Sequence, residues 1–322
     1  MRFVLLIVLL CGLSGAAFAQ DQDRGFGDWL GKFRAEALRA GISPATFDMA
    51  MGDVQPIPRI IELDHAQPET KLQFSDYVRR LSSQQRRAGV EQHLAAERDV
   101  LNRVGRRFHV QPRFIVALWG IETDFGKFPG DYPVISSLAT LAYDGRRAAL
   151  FTRELIAALR IVQRDGIPPA KLRGSWAGAM GQCQFMPSSF LEYAVRFRGI
   201  GRPDIWADHA DVFASIANYL AKLGWSDRES WGRYVRAPDA LSPSLVGLGV
   251  HKTLREWRRL GIRRTDGGPL PASSLRASLI EPEGQGGPAL LVYGNFRTLL
   301  RWNNSQAFAT SVGLLAEAGE SR

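Results

Sequence analysis

One stretch of the 322-residue chain sets an acid inside an apolar run: Ile115-Val116-Ala117-Leu118-Trp119-Gly120-Ile121-Glu122-Thr123-Asp124-Phe125-Gly126. Phe114, Leu118 and Glu122 fall four apart, so on a helix they share one face, and the carboxyl of Glu122 continues an apolar stripe. Desolvation disfavours the charged form of such a carboxyl, and an acid poised near neutral pH suits proton donation to a leaving group. Spacing alone leaves equally open a structural Glu bonded to neighbouring backbone or Arg. Gly126 is expected to end the helix. At 3.6 residues per turn, Asp124 would point about 200° away from Glu122, so the two acids would not face one substrate.

The second stretch with chemical content is Ser175-Trp176-Ala177-Gly178-Ala179-Met180-Gly181-Gln182-Cys183-Gln184-Phe185-Met186-Pro187-Ser188-Ser189. Its glycines and alanines let backbone approach a ligand closely, and Ser175, Gln182, Gln184 and Ser188 supply neutral donors and acceptors. Sugars are bound by such groups, with aromatic faces against their apolar sides. Trp119, Trp176, Tyr77, Tyr132 and Tyr219 are available for this, although each serves a core equally well. Other chemistries find less support. The five histidines, His65, His93, His109, His209 and His251, show no spacing for a metal or a catalytic triad. Cys183 reads as a small semi-buried residue in a turn.

The chain opens with Arg2, an apolar run over Phe3 to Leu13, and Ala17-Phe18-Ala19 before Gln20, the pattern of a cleaved export signal over residues 1–19. Leu10 before Cys11 puts a bulky residue where lipoprotein signals carry a small one. No later segment approaches the roughly 18 to 20 apolar residues of a membrane span, so stable membrane insertion is not expected. Removing residues 1–19 takes away one Arg and no acid, leaving 40 − 32 = +8. That balance suits an anionic partner, whether nucleic acid, a membrane surface or a carboxylate-rich polymer; the basic residues are scattered in pairs, and no zinc-finger or helix-turn-helix spacing points to nucleic acid. Cys183 would then stand alone, without an intramolecular disulfide.

The elements that must position these residues read as mostly helical. Ser43-Pro44 is an N-cap followed by Pro at the first helical position, after Trp29, Phe33, Ala37 and Leu38 at helical spacing. Helices are expected over Phe74 to Leu81, Val90 to Phe108, Pro112 to Gly126, Val134 to Tyr143, Ala148 to Gln163, Phe190 to Phe197 and Asp211 to Leu223. Beyond Gly224 the chain turns rich in Gly, Pro and Ser, with a helical insert at Lys252 to Leu260 and a strand at Ala289 to Tyr293. Trp302 to Ala318 returns to a helical pattern.

The motifs Leu118-Trp119-Gly120-Ile121-Glu122-Thr123, Ala177 through Ser189, Ala217-Asn218-Tyr219-Leu220 and Arg301-Trp302-Asn303-Asn304-Ser305 resemble the membrane-bound lytic murein transglycosylase B family, over about Phe33 to Glu317. The resemblance implies a mainly α (α+β) fold in a soluble, non-lipidated form. It comprises an N-terminal helical region (20–111), a lysozyme-like catalytic core (112–230), a small β-containing insertion (231–290) and a C-terminal helix (291–322). It implies Glu122 as the single catalytic acid and base. Ser175 and Gln184 would contact the muramyl sugar, with Phe185, Tyr219, Tyr77 and Asn303 lining the groove and Arg146 and Arg147 near it.

Most glycosidases use two carboxylates; the family instead uses substrate assistance. Glu122 would protonate the oxygen between N-acetylmuramic acid and N-acetylglucosamine, the 2-acetamido group would support the charge at C1, and O6 would close a 1,6-anhydro ring. The implied partners are peptidoglycan glycan strands and cell-wall synthesis proteins, acting on a periplasmic monomer without a cofactor or metal. A sugar-binding scaffold without activity and a hydrolytic muramidase are the alternatives. Two features depart from the family. Arg196, Arg198 and Arg202 occupy the places of acidic ligands in a calcium loop, so no calcium is expected even though Asp204, Asp208 and Asp211 lie close by. Trp302 and Phe308 stand where Tyr is usual, which puts a hydroxyl hydrogen bond in doubt.

Overall fold

A computed structural model describes residues 14–66 and 72–320, with side chains from residue 25 onward. The apolar run of the expected export signal and Cys11 lie outside the described residues, among which no helix is long and apolar enough to cross a membrane. The first helices are α1 Ser14–Arg39, α2 Pro44–Met51, α3 Pro58–His65 and α4 Phe74–Leu81. Then come α5 Gln84–Ala96, α6 Arg98–Phe108 and α7 Pro112–Thr123. The strand β1 Tyr132–Pro133 precedes α8 Val134–Asp144 and α9 Ala148–Asp165; β2 Arg173–Gly174, α10 Pro187–Tyr193 and α11 His209–Lys222 follow. The last part runs β3 Gly232–Arg236, β4 Lys252–Thr253, α12 Leu254–Arg259, β5 Arg263–Arg264, β6 Arg276–Ile280, β7 Ala289–Val292, α13 Gly294–Trp302 and α14 Gln306–Ala318.

The chain divides into two compact units. The first takes residues 14–66, 131–179 and 186–188. In it α8 and α9 form an antiparallel pair covered by α2 and α3, and β1 pairs antiparallel with β2 through Tyr132 and Gly174. Ser43 accepts a hydrogen bond from the Thr46 N–H and Pro44 begins α2, so the cap read from the sequence forms as its chemistry dictates.

The second unit takes residues 72–130, 180–185 and 189–320. Its centre is α7, in which Phe114 through Gly120 are all buried. A helix apolar on every side is one surrounded by others, and α5, α6, α11 and α14 supply that cover. The part between residues 232 and 292 holds a five-stranded antiparallel sheet in the order β4-β6-β7-β3-β5, its core built on Trp257, Leu279 and Leu291.

Several boundaries differ from the sequence reading. The helix expected from Val90 to Phe108 is two helices broken at Glu97 (φ −103°, ψ 17°), whose carboxylate meets His209 Nδ1 at 2.8 Å. The segment from Trp302 to Ala318 is likewise divided. Asn303 ends α13 in an extended conformation, and the Ser305 hydroxyl caps α14 by accepting from the Phe308 N–H. Phe308 itself is buried.

Candidate active site

Glu122 lies one residue from the end of α7, because the helix stops at Thr123 and not at Gly126. Asp124, Phe125 and Gly126 adopt three successive left-handed conformations (φ 51°, 62° and 81°). The Thr123 hydroxyl holds this turn, donating to the Gln182 carbonyl at 3.1 Å and accepting from the Gly126 N–H at 3.0 Å. The turn folds the Phe125 ring back onto Gly120, where a Cβ would come within 2.6 Å of it; the glycine of the Trp-Gly motif makes room for that ring. Asp124 is therefore off the helix altogether, and the 200° separation expected on a continuous helix does not apply. Its carboxylate lies 3.2 Å from Lys127 Nζ and 3.8 Å from Arg86 Nε, the position of a C-terminal cap.

The carboxyl of Glu122 is crowded by protein atoms, although the residue as a whole is half-buried. Burial drives its pKa up to about 7, and one hydrogen bond, from Trp302, works against that rise. Trp302, at the end of α13, donates from Nε1 to Glu122 Oε1 at 2.7 Å. The replacement of Tyr by Trp thus leaves a donor on the acid, contrary to the doubt raised by the missing hydroxyl. Two further groups register the Glu122 charge. The Tyr77 phenol is pushed up by burial and then by Glu122, and so is the Cys183 thiol, raised well above its ordinary value. Cys183 is fully buried, not semi-buried as its turn suggested, with Sγ 3.6 Å from the Val212 carbonyl.

The glycine-rich loop is built to hold Gln184 and Phe185 in place. Met180 and Phe185 pair through two backbone hydrogen bonds of 2.8 and 3.1 Å, which forces a tight reversal between them. Gly181 sits in it at φ 60°, and a Cβ there would fall 2.6 Å from the Ile205 carbonyl, so no other residue fits without strain. Gln184 takes a left-handed φ of 51° despite its side chain, a conformation that non-glycine residues hold only when their surroundings compel it. Its amide nitrogen donates to the carbonyls of Pro129 (2.9 Å) and Gly181 (2.8 Å). Both donors are then engaged while Oε1 keeps its lone pairs. Gln182 joins loop to helix, accepting from Trp119 Nε1 at 2.8 Å and donating to the Trp206 carbonyl at 2.8 Å.

Phe185, Tyr219 and Trp302 form an aromatic cluster with ring centres 5.7, 5.4 and 4.6 Å apart. The Tyr219 hydroxyl donates to the Arg301 carbonyl at 3.0 Å. Asn303 is exposed next to Trp302. The second unit therefore brings together Glu122, Tyr77, Gln184, Phe185, Tyr219, Trp302 and Asn303. Ser175, Arg146 and Arg147 belong to the first unit. The Ser175 hydroxyl accepts from the Ala179 N–H at 3.1 Å. Arg146 donates to Asp64 Oδ2 at 2.7 Å and Arg147 binds the other oxygen, so both guanidiniums serve a carboxylate that is only 1% exposed. Burial favours the protonated form of Asp64, but the two arginines outweigh it and hold the pKa below the ordinary range. Asp64, His65 and Asp144 are the only group of potential metal ligands clustered among the described residues, and the arginines already neutralise Asp64.

Sequence reasoning passed over Trp302 as a partner of the acid. It is 180 positions from Glu122, and only its aromatic face had a sequence signal. At the place of the family's calcium loop, the acidic residues are engaged by an arginine and by backbone. The Arg196 guanidinium lies 3.1 Å from Asp208 and 2.9 Å from Asp211, and Asp211 also accepts from the backbone of Phe197 and Asp204.

These features agree with comparison to known proteins. Residues 25–317 match the family model described as Transglycosylase SLT domain, and the chain belongs to that family. Among curated relatives, the membrane-bound lytic murein transglycosylase B of Escherichia coli is 34% identical over 223 residues, 68% of this chain and 60% of that protein. The match thus spans less than two thirds of that relative. SltB3 from Pseudomonas aeruginosa, solved with NAG-anhNAM-pentapeptide, is 43% identical, with a TM-score of 0.86 over 91% of this chain and 79% of its own. The Escherichia coli lytic transglycosylase Slt35, solved with calcium, is 26% identical, with a TM-score of 0.74 over 91% and 92% of the two chains. The mainly helical fold with a small antiparallel sheet is the lysozyme-like architecture expected from the motifs.

Proposed function

We propose that the protein is a peptidoglycan lytic transglycosylase that cleaves the MurNAc-β-1,4-GlcNAc bond, with Glu122 as its only acid and base. The observation that carries this reading is the state of Glu122: a desolvated carboxyl at about pKa 7, bonded to one indole N–H, on a residue that is half-buried. At neutral pH such a group holds its proton about half the time, which suits an acid that must give up a proton and then take one back. Among the described residues no second carboxylate contributes to its shift, which burial and Trp302 account for, and Asp124 is paired with cations.

Glu122 donates its proton to the glycosidic oxygen as the bond to C1 breaks. The substrate's own acetamido carbonyl supports the positive charge at C1. The carboxylate left behind, held by the Trp302 N–H, then removes the proton from O6, and O6 closes on C1. The Gln184 Oε1 is the free acceptor for a sugar N–H or hydroxyl, while Tyr77, Phe185, Tyr219 and Asn303 line the groove. Ser175 is assigned to the muramyl sugar by its place in the motif, and the half-exposed faces of Arg146 and Arg147 to wall carboxylates. Export to the periplasm, by cleavage after Ala19, follows from the signal pattern. The motif match and the murein-directed relatives support the substrate class.

The test is turbidity loss of purified peptidoglycan with wild type and Glu122→Gln. Wild type clears the suspension, and the variant binds it without clearing. A wild type that binds but never clears supports the scaffold reading, and a variant that clears at the wild-type rate overturns the role of Glu122.

A further inference from the structure

The helix α4 is eight residues long and has no cap of its own. Gln73, the residue before its first turn, makes no side-chain bond to the N–H groups that a first turn leaves free. The cap comes instead from Glu283, 208 positions away in the chain. Its Oε1 accepts from the Ser75 N–H at 2.8 Å and its Oε2 from the Ser75 hydroxyl at 2.8 Å. A carboxylate in that place satisfies an orphan donor and sits against the positive end of the helix dipole.

Glu283 lies in the loop of residues 281–288 between β6 and β7, strands that pair antiparallel up to Ile280 and Leu290. The Gly284 N–H closes this loop on the Glu281 carbonyl at 2.9 Å, and the Gly287 N–H on the Gly284 carbonyl at 3.1 Å. Gln285 Nε2 ties it to the Asp239 carbonyl at 3.0 Å. A Cβ at Gly287 would come within 3.1 Å of the Glu283 Cβ, so the glycine leaves that side chain its room. The carboxylate is thus aimed by a braced turn of the sheet.

What the cap holds is the turn that carries Tyr77. The Tyr77 N–H donates to the Gln73 carbonyl at 3.0 Å, and Ser75 lies inside the turn so closed. Phe74 and Val78 of the same helix are buried, and α4 packs on α14, as α14 packs on α7. Tyr77 itself is half-buried, close enough to Glu122 for the acid's charge to act on its phenol. Fraying of one turn would displace it.

We propose that Glu283 is a positioning residue: it caps α4 from the β6–β7 loop and so fixes Tyr77 in the wall of the groove. The role in the reaction rests on the reading of Tyr77 as groove-lining. Hydrogen exchange of the intact protein tests the cap without substrate. In Glu283→Ala, an exposed position, exchange of the Tyr77 and Val78 amides is expected to rise about fivefold, the factor set by loss of a typical cap, while the Leu118 and Trp119 amides of α7 keep their wild-type rates. Glu283→Gln, which retains an oxygen for the Ser75 N–H, is expected to stay near wild type. On solubilised glycan strands, Glu283→Ala is expected to raise KM by a similar factor with kcat little changed, and to add nothing further in a Tyr77→Ala background. Unchanged exchange at Tyr77 and Val78 overturns the proposal. So does a KM that rises by the same factor in both backgrounds, since Glu283 would then act without Tyr77. Failure of the glycan-cleavage reading would show as a wild type that clears no peptidoglycan, and the exchange rates would still decide whether Glu283 holds α4.

Discussion

Glu122→Gln should make the protein more stable, and only above the ordinary range of carboxylate ionisation. In the unfolded chain Glu122 titrates near 4.5, while in the fold burial raises it to about 7. Below pH 4.5 the side chain is protonated in both states and contributes nothing to the difference. As the pH rises through the window from 4.5 to 7, the unfolded chain loses its proton while the folded one keeps it, so folding becomes progressively less favourable. Above 7 the full cost is reached: 7 − 4.5 is 2.5 units, or about 3 kcal/mol at roughly 1.4 kcal/mol per unit. Gln carries no charge at any pH and its Oε1 still accepts from Trp302 Nε1. Denaturant titrations at pH 4 and pH 8 measure the difference directly. The variant is expected to gain about 3 kcal/mol over wild type at pH 8 and close to none at pH 4. An equal gain at both values, or none at pH 8, would refute the claim that Glu122 is held in a desolvated state.

Trp302→Phe keeps the ring and removes the N–H. Because a hydrogen bond to a charged group contributes about 1.5 to 3 kcal/mol, the basic limb of the kcat/KM profile should move up by about 1 to 2 pH units, and Trp302→Tyr should restore part of it; an unmoved limb contradicts the role of the indole. Asp64→Asn should lower stability by about 1 to 3 kcal/mol at pH 7, since it strips two arginines of their partner. The depressed pKa of Asp64 means this loss fades as the pH falls through the folded-state value, which melting curves across the acid range would show. Gly181→Ala should lower stability by about 1 to 2 kcal/mol from the left-handed backbone alone, with more from the Ile205 carbonyl, as read by thermal unfolding. Native Cys183, fully buried with its thiol raised, should react with a thiol reagent only after denaturant is added.

The family was legible in the sequence because its two motifs are contiguous, and contiguous motifs carry local backbone needs. Gly181 is dictated by a left-handed turn and Gly120 by the Phe125 ring packed against it. The cap at Ser43 is local in the same sense. What escaped was set by distant packing. Periodicity placed Glu122 on an apolar stripe, but α7 is buried over almost its whole length, so its apolar pattern has no single face to read. Asp124 was placed by extending the helix through three residues that are left-handed. That reversal depends on Thr123 finding the Gln182 carbonyl 59 positions away. The bond between Trp302 and Glu122 joins residues brought together only by the packing of α13 and α14 in the second unit. The arginine pair 146–147 is set near the groove by the resemblance alone, and its bond to Asp64 has no sequence signal because that partner lies more than 80 positions upstream.

The central claim is that Glu122 serves as acid and then as base, without water taking part. Mass spectrometry of the fragments released from purified peptidoglycan tests it most directly. Wild type should release muropeptides one water lighter than hydrolytic products, ending in 1,6-anhydro-muramic acid, and Glu122→Gln should release none. Fragments with ordinary reducing ends, or anhydro ends produced by the variant at the wild-type rate, would contradict the account.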